Sequence, residues 1–259
     1  REGEDFFVGY SPERVNPGDN NHQLHNINKI LAYPHAFKKK EILKLYSNLG
    51  KKIIFSDNIL EAETAKVIEN IQRDVNIGLI NELFIACRKL KINFQKVNSL
   101  AATKWNFLKF NPGLVGGHCL PVDPYYFSYI CKKNNFNTKI TLAGRSINDS
   151  MTQIVINQIK NELKVKKLER ENILICGLTY KKDVADIRNS LSLKIFKKIK
   201  NKFIQGYDPL IDKKFAKENK LIYKKKDFSK FKVYILLTKH TMLEKSFKKL
   251  KNKIIIRPI

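Results

Sequence analysis

Apolar positions along this chain recur first as short runs and then at helical spacing. Phe6-Phe7-Val8 predicts a strand entering the proline- and glycine-rich stretch Ser11–Gly18. A helix near Lys38–Leu49 and a second strand at Lys52–Phe55 follow, and together they read as the tail of an α/β domain. From about Leu60 to Leu90 the period changes. Val67, Ile68, Ile71, Val75, Leu79, Leu83, Cys87 and Leu90 step by threes and fours, with Asp57 placed to cap the start. Some thirty residues is long for a globular helix and suggests a connecting or dimer-forming element. Residues 100–150 hold a proline- and glycine-rich loop and then more helix, and a helix from about Met151 to Lys164 follows. Ile173–Gly177, Phe203–Tyr207, Val233–Leu237 and Ile254–Ile256 read as strands, with a helix at Ser192–Lys200 after the first. Strands alternating with helices predict a parallel, doubly wound sheet. The expected fold class is therefore α/β in three parts. Residues 1–56 are a remnant of one α/β domain, 57–165 a helical central (dimerisation) domain on the long helix, and 166–259 a Rossmann-like domain.

Composition narrows the function classes. With 259 residues and 43% hydrophobic content, the chain can bury at least one good core. No run of eighteen apolar residues exists, so no membrane partner is expected. Arg1–Asp5 is charged and unlike a signal peptide, and a chain opening on Arg reads as a fragment. Cysteines 87, 119, 131 and 176 form no CxxC pair and no zinc-spaced Cys/His cluster, so neither a metal nor a disulfide framework is expected. A reducing cytoplasm fits that usage. The net charge of +26 invites a nucleic-acid reading, but 42 lysines stand against 8 arginines and are spread along the chain. Solvated lysine faces are the expectation, without a nucleic-acid partner.

The sharpest candidate for chemistry is the loop Pro112-Gly113-Leu114-Val115-Gly116-Gly117-His118-Cys119-Leu120-Pro121-Val122-Asp123-Pro124-Tyr125-Tyr126. A cysteine behind two glycines sits where backbone amides can approach a reacting oxygen. A lone cysteine is more often a small buried core residue; glycines, a histidine and an acid around it weaken that reading without removing it.

Here the chain resembles the UDP-glucose/GDP-mannose dehydrogenases. Tyr10-Ser11-Pro12-Glu13-Arg14-Val15-Asn16-Pro17-Gly18-Asp19 is similar to the family's YSPERxNPGD segment. Lys66-Val67-Ile68-Glu69-Asn70, Arg73-Asp74 and Asn81-Glu82 resemble its central-helix pattern. Gly177-Leu178-Thr179-Tyr180-Lys181-Lys182-Asp183 through Asp186-Ile187-Arg188-Asn189-Ser190 resembles the opening of its C-terminal domain, continued by Tyr207-Asp208-Pro209 and Thr238-Lys239-His240. The wording of the cysteine loop is most similar to the Vi-antigen-type branch acting on UDP-N-acetylhexosamines.

The resemblance implies an NAD-dependent, two-step oxidation of the C6 alcohol of a UDP-sugar to the uronate, for surface polysaccharide precursors. UDP-N-acetylglucosamine or UDP-N-acetylgalactosamine is the expected substrate, with UDP-glucose as an alternative. By resemblance, Cys119 attacks the aldehyde and passes through a thioester. Lys66 and Asn70, four apart on a helix, stabilise the oxyanion. Asp123 moves a proton or orders a water, and Glu13 positions the hydrolytic water. An ordinary helix face, a loop cap and an exposed turn are the plain alternatives for those four. Arg14, Gly116, Gly117, His118, Tyr180, Lys181 and Arg257 are the implied substrate-binding residues, with His118 lining the pocket. Arg188 is the implied contact to the cofactor's diphosphate, with an ion pair to Asp183 or Asp186 as its alternative. A homodimer through the long helix is also implied.

Two departures stand out. No G-x-G-x-x-G follows any strand, and the resemblance begins only where the family's first domain ends. The dinucleotide fingerprint and roughly 150 residues around it are therefore expected to be missing. At the other end Ile254-Ile255-Ile256-Arg257-Pro258 replaces an I-x-D-x-R-like exit, which shifts Arg257 from the family spacing. The expectation is thus most of a dehydrogenase; the alternative is a truncated, non-catalytic fragment that binds UDP-sugars or dimerises.

Overall fold

The computed structural model describes residues 1–34, 39–223, 225–248, 250 and 252–259. The chain forms two compact units, Arg1–Gln72 and Arg73–Ile259.

In the first unit, β1 (Asn28–Ala32) and β2 (Lys52–Ser56) pair in parallel from Asn28↔Lys52 to Ala32↔Ser56, with α1 (Lys39–Tyr46) between them in sequence. Parallel neighbours require such a crossover. Lys38, the expected start of that helix, lies outside the described residues. The strand expected at Phe6-Phe7-Val8 does not form. Phe6 makes one isolated bridge, to Glu2, while Phe6 and Val8 stay exposed. Tyr10 instead takes both backbone groups of Ala32, at 2.8 and 2.7 Å. The strand that does form, β1, has only three apolar residues in five and becomes a strand by pairing with β2. α2 runs from Ile59 to Lys89, 31 residues, as the apolar period predicts. Its cap is Asn58 rather than Asp57: the Asn58 Oδ1 accepts from the Leu60 amide at 2.9 Å.

In the second unit, the end of α2 is followed by α3 (Phe94–Ala101), α4 (Asp123–Lys133) and α5 (Lys139–Val165). α5 starts twelve residues before the expected Met151, because in its first turns Ile140 and Leu142 stay exposed while Thr141, Arg145 and Asn148 are buried, so apolar spacing does not mark the inner face. Arg145 and Asn148 are buried there all the same, bonded to Asp74 of α2. The remaining elements are β3 (Ile173–Cys176), α6 (Leu191–Ile199), β4 (Ile204–Tyr207), α7 (Lys213–Glu218), β5 (Val233–Leu236), α8 (Thr241–Phe247) and β6 (Ile254–Ile256). The four strands pair in parallel in the order β4-β3-β5-β6.

Alternation along β3 divides its side chains between two layers. Ile173 and Ile175 join Met151, Val155 and Ile159 of α5 and Ile195 and Phe196 of α6 in one apolar cluster. Leu174 and Cys176 join Leu243 and Phe247 of α8 in another. A parallel sheet with helices on both faces buries every residue of β3 and β5, as their unbroken apolar runs require. The fold class is mixed α/β, with a long helix and parallel sheets.

Candidate active site

In the second unit, the loop bearing Cys119 is held at three points. At Phe110 the carbonyl accepts from Asn98 Nδ2 at 3.2 Å. At Gly113 one side chain, the fully buried Asn81, accepts from the amide at 2.8 Å and donates to the carbonyl at 3.0 Å. At Gly117 the amide donates to the Asn189 carbonyl at 3.3 Å. The two glycines before the cysteine are there for space. A Cβ on Gly116 would lie 2.7 Å from Asn189 O, and one on Gly117 (φ +91°) 2.9 Å from the Tyr180 ring. Cys119 is exposed, and its carbonyl accepts from the Val122 and Asp123 amides at 3.0 and 2.9 Å, closing a tight turn into α4. Asp123 is the first residue of that helix, where a carboxylate suits the helix dipole.

The loop after β3 meets this turn. The rings of His118 and Tyr180 approach edge-on with centroids 6.3 Å apart. Burial, then the charges of Asp186 and Cys119, lift the Tyr180 phenol above its ordinary value. Arg188 donates to Asp186 through Nε at 3.1 and 3.0 Å and Nη2 at 2.7 Å. Those bonds hold the Asp186 carboxyl below its usual range despite some burial. The ion pair expected as the alternative for Arg188 is thus formed, with Asp186. Lys181 is half-buried in the same loop. Ser190 caps α6 through the Leu193 amide at 3.2 Å and donates to the Leu178 carbonyl at 2.6 Å. Gly177 (φ +80°) ends β3, and a Cβ there would fall 2.0 Å from the Thr238 carbonyl oxygen.

A cavity of about 580 Å³ opens between these parts. One side is Phe94, Gln95, Asn98 and Ser99 of α3 with Lys109 and Asn111–Leu114; the other is Tyr180, Lys182, Ser192, Leu237–Lys239 and Ile259. Its described lining carries three lysine side chains, Lys109, Lys182 and Lys239, and no Asp or Glu. Tyr180 belongs both to this cavity and to the cysteine turn. Lys182 and Lys239 stand in the family-like segments, but none of the three lysines was assigned a role from the sequence, where 42 lysines mask any one of them. Arg257, beyond β6, is exposed with Nη2 3.6 Å from Glu244 Oε2. Among the described residues no three His, Cys, Asp or Glu side chains gather closely enough to ligate a metal.

The remaining candidates lie in the first unit. Ser11 Oγ donates to the Ile30 carbonyl at 2.6 Å and Lys29 Nζ to the Pro12 carbonyl at 3.2 Å, fastening the Ser11–Arg14 turn to β1. Arg14 Nη2 pairs with Glu69 of α2 at 2.7 Å. Lys66 and Asn70 flank Glu69 on that helix, Asn70 buried and Lys66 half-buried. Glu13 is exposed, and its Oε1 accepts from the Val15 amide at 2.6 Å.

Comparison with known proteins accords with this geometry. Residues 60–150 match the central domain of the UDP-glucose/GDP-mannose dehydrogenase family, and residues 174–259 match that family's UDP binding domain. A UDP-N-acetyl-D-glucosamine 6-dehydrogenase of Salmonella typhi is 42% identical over 220 residues, 81% of this chain and 50% of its own length. A UDP-N-acetyl-D-mannosamine dehydrogenase of Methanococcus vannielii is 34% identical over 263 residues, 96% of this chain and 60% of its own. The solved structure of a UDP-D-ManNAc dehydrogenase from Pyrococcus horikoshii superposes with a TM-score of 0.80 at 28% identity, covering 100% of this chain and 63% of that one. The chain spans about half the length of the curated relatives it matches. With a thiol turn and a lysine-lined cavity on a doubly wound sheet, and both family domains matched in order, the chain belongs to the UDP-glucose/GDP-mannose dehydrogenase family.

Proposed function

We propose that this chain supplies the thiol and the sugar-nucleotide site of a UDP-N-acetylhexosamine 6-dehydrogenase. The observation that carries the reading is the cavity whose lining holds three lysines and no Asp or Glu, and whose Tyr180 also packs against the cysteine turn. A diphosphate is the ligand such a lining favours, and a sugar attached to it would extend toward Cys119. Lys181, Gly116, Gly117, His118, Arg14 and Arg257 are further substrate contacts on this reading, which family resemblance supports. Cys119, as thiolate, adds to the C6 aldehyde carbon; the carbonyl oxygen becomes an oxyanion that Lys66 and Asn70 stabilise. Two-electron oxidation of that adduct, its C6 hydride passing to the NAD the family implies, would give the thioester, and Asp123 and Glu13 serve the water that hydrolyses it to free the uronate and the thiol. NAD, the oxidant the family implies, finds no glycine-rich strand–turn–helix in these 259 residues. The chemistry assigned to this chain is therefore that of the thiol and the sugar nucleotide. Arg188, proposed for the cofactor's diphosphate, would first have to leave Asp186.

The Arg188–Asp186 ion pair, which occupies the proposed cofactor contact, favours a second reading, in which the chain binds UDP-sugars without turnover. An assay of NADH formation with UDP-N-acetylglucosamine, UDP-N-acetylgalactosamine, UDP-N-acetylmannosamine and UDP-glucose, beside calorimetry with UDP, decides between them. NADH formation that Cys119→Ser abolishes supports the enzyme. UDP binding without NADH supports the second reading, and no UDP binding overturns both.

A further inference from the structure

Beneath the loop that carries Tyr180, Lys181 and Lys182 lies a buried imidazole that the chemistry above does not use. His240 is fully buried at the start of α8. The Asp183 amide donates to its Nδ1 at 2.8 Å, so Nδ1 bears a lone pair and the ring proton sits on Nε2. That Nε2–H faces Asp208 Oδ2 at 3.1 Å and Thr179 Oγ1 at 2.9 Å. Thr179 spends its own hydroxyl proton on the Lys181 carbonyl at 3.2 Å, so toward His240 it accepts. Asp208 in turn accepts from the Leu178 and Thr179 amides at 2.5 and 3.0 Å. The Asp183 carboxylate then ties the far end of the loop to α8, accepting from the Thr241 amide at 2.8 Å and hydroxyl at 2.5 Å.

We propose that His240 is a positioning residue for the sugar-nucleotide loop 179–183, and that it holds the loop only while its imidazole is neutral. The proposal rests on the cavity reading given above. A proton on Nδ1 would set two N–H groups facing each other at the Asp183 amide. The carboxylate oxygen beside that new donor, Asp183 Oδ1, is 3.7 Å away and already engaged by the Thr241 amide. The loop's last anchor must then re-sort. The charged groups facing the ring are Asp208, from the turn after β4, and Asp183, with Lys182 beside it. On α8 itself Glu244 points to Arg257. Cys176 lies near Asp208 as a neutral thiol, pushed well up by burial.

The test compares the 259-residue wild type with His240→Ala and His240→Asn, by UDP calorimetry and by amide hydrogen exchange, over about pH 5 to 8, where imidazoles titrate. Loss of one hydrogen-bonding side chain predicts roughly fivefold to tenfold weaker UDP binding in His240→Ala, with faster exchange at the Asp183 amide. His240→Asn keeps an acceptor for that amide and should retain its protection and most of the affinity. In the wild type both should fall on acidification more steeply than in His240→Asn, which carries the same carboxylates but no imidazole. Asp183 exchange in His240→Ala as slow as in wild type, or pH profiles identical in wild type and His240→Asn, would overturn the proposal. If the wild type binds no UDP, the cavity reading fails by itself, and the exchange comparison still decides the role of His240.

Discussion

Asn81 meets both backbone groups of Gly113 with one amide, as a neighbouring strand would, and a second amide, Asn148 Oδ1 at 2.8 Å, completes its bonding. Replacing it by Leu leaves the Gly113 N–H and C=O partly buried without that partner. At about 1–3 kcal/mol for each unsatisfied group, Asn81→Leu should lose about 2–6 kcal/mol in urea unfolding. The sequence marks Asn81 within a family-like pattern, but its partner lies 32 residues away and no local spacing reveals it. Asp208 shows the same limit. Burial alone would raise its carboxyl, but His240 and the Leu210 and Thr179 amides outweigh that and hold it below 3.8. A depressed carboxyl contributes stability that is present above the unfolded value and lost as pH falls through the folded one. Asp208→Asn should therefore be less stable than wild type at neutral pH. The gap should close as pH drops below about 4, in thermal unfolding against pH.

Between elements, α2 and α5 cross where both carry glycine. A Cβ on Gly78 would lie 2.8 Å from Gly144 O and 3.0 Å from Gly144 Cα. Alanine gains about 1 kcal/mol in helix propensity, yet it must push two backbones apart at a cost of about 1–3 kcal/mol. Gly78→Ala should thus be neutral to destabilising by about 2 kcal/mol, and a stabilised variant would show the crossing to be loose. The crossing also explains which elements were legible. α2 announces itself through apolar residues at threes and fours, whereas α5 begins with Lys139–Ser150, where the buried positions Thr141, Arg145 and Asn148 are polar and Ile140 and Leu142 are exposed. Arg145 and Asn148 count there as buried because Asp74 receives them, a fact of pairing rather than of sequence. Phe6-Phe7-Val8 errs the other way, apolar enough for a strand but with Tyr10 holding the edge at Ala32.

For the whole molecule, alternation of apolar strands with amphipathic helices was enough to foresee the doubly wound sheet, since β3 and β5 must be covered on both sides. The cavity was not foreseeable, because its lysines are chemically indistinct from those on solvated faces. The long helix leaves Ile68, Leu79 and Leu83 exposed at spacings that share one face, and a second copy of the chain is the proposed cover. Light scattering should then give twice the mass of 30.2 kDa, and Leu79→Glu with Leu83→Glu should halve it. A monomeric wild type would sink the dimer.

The backbone contact between Gly177 and Thr238 has a consequence for ligand traffic. Two loops that touch main chain to main chain, with 2.0 Å where a side chain would begin, form a welded seam rather than a pair of flaps. Neither can swing aside without carrying the other and the strand ends behind it. The facing wall of α3 and residues 109–114 is held instead by two asparagine side chains, so on the proposed reading it is the wall left to adjust to a diphosphate.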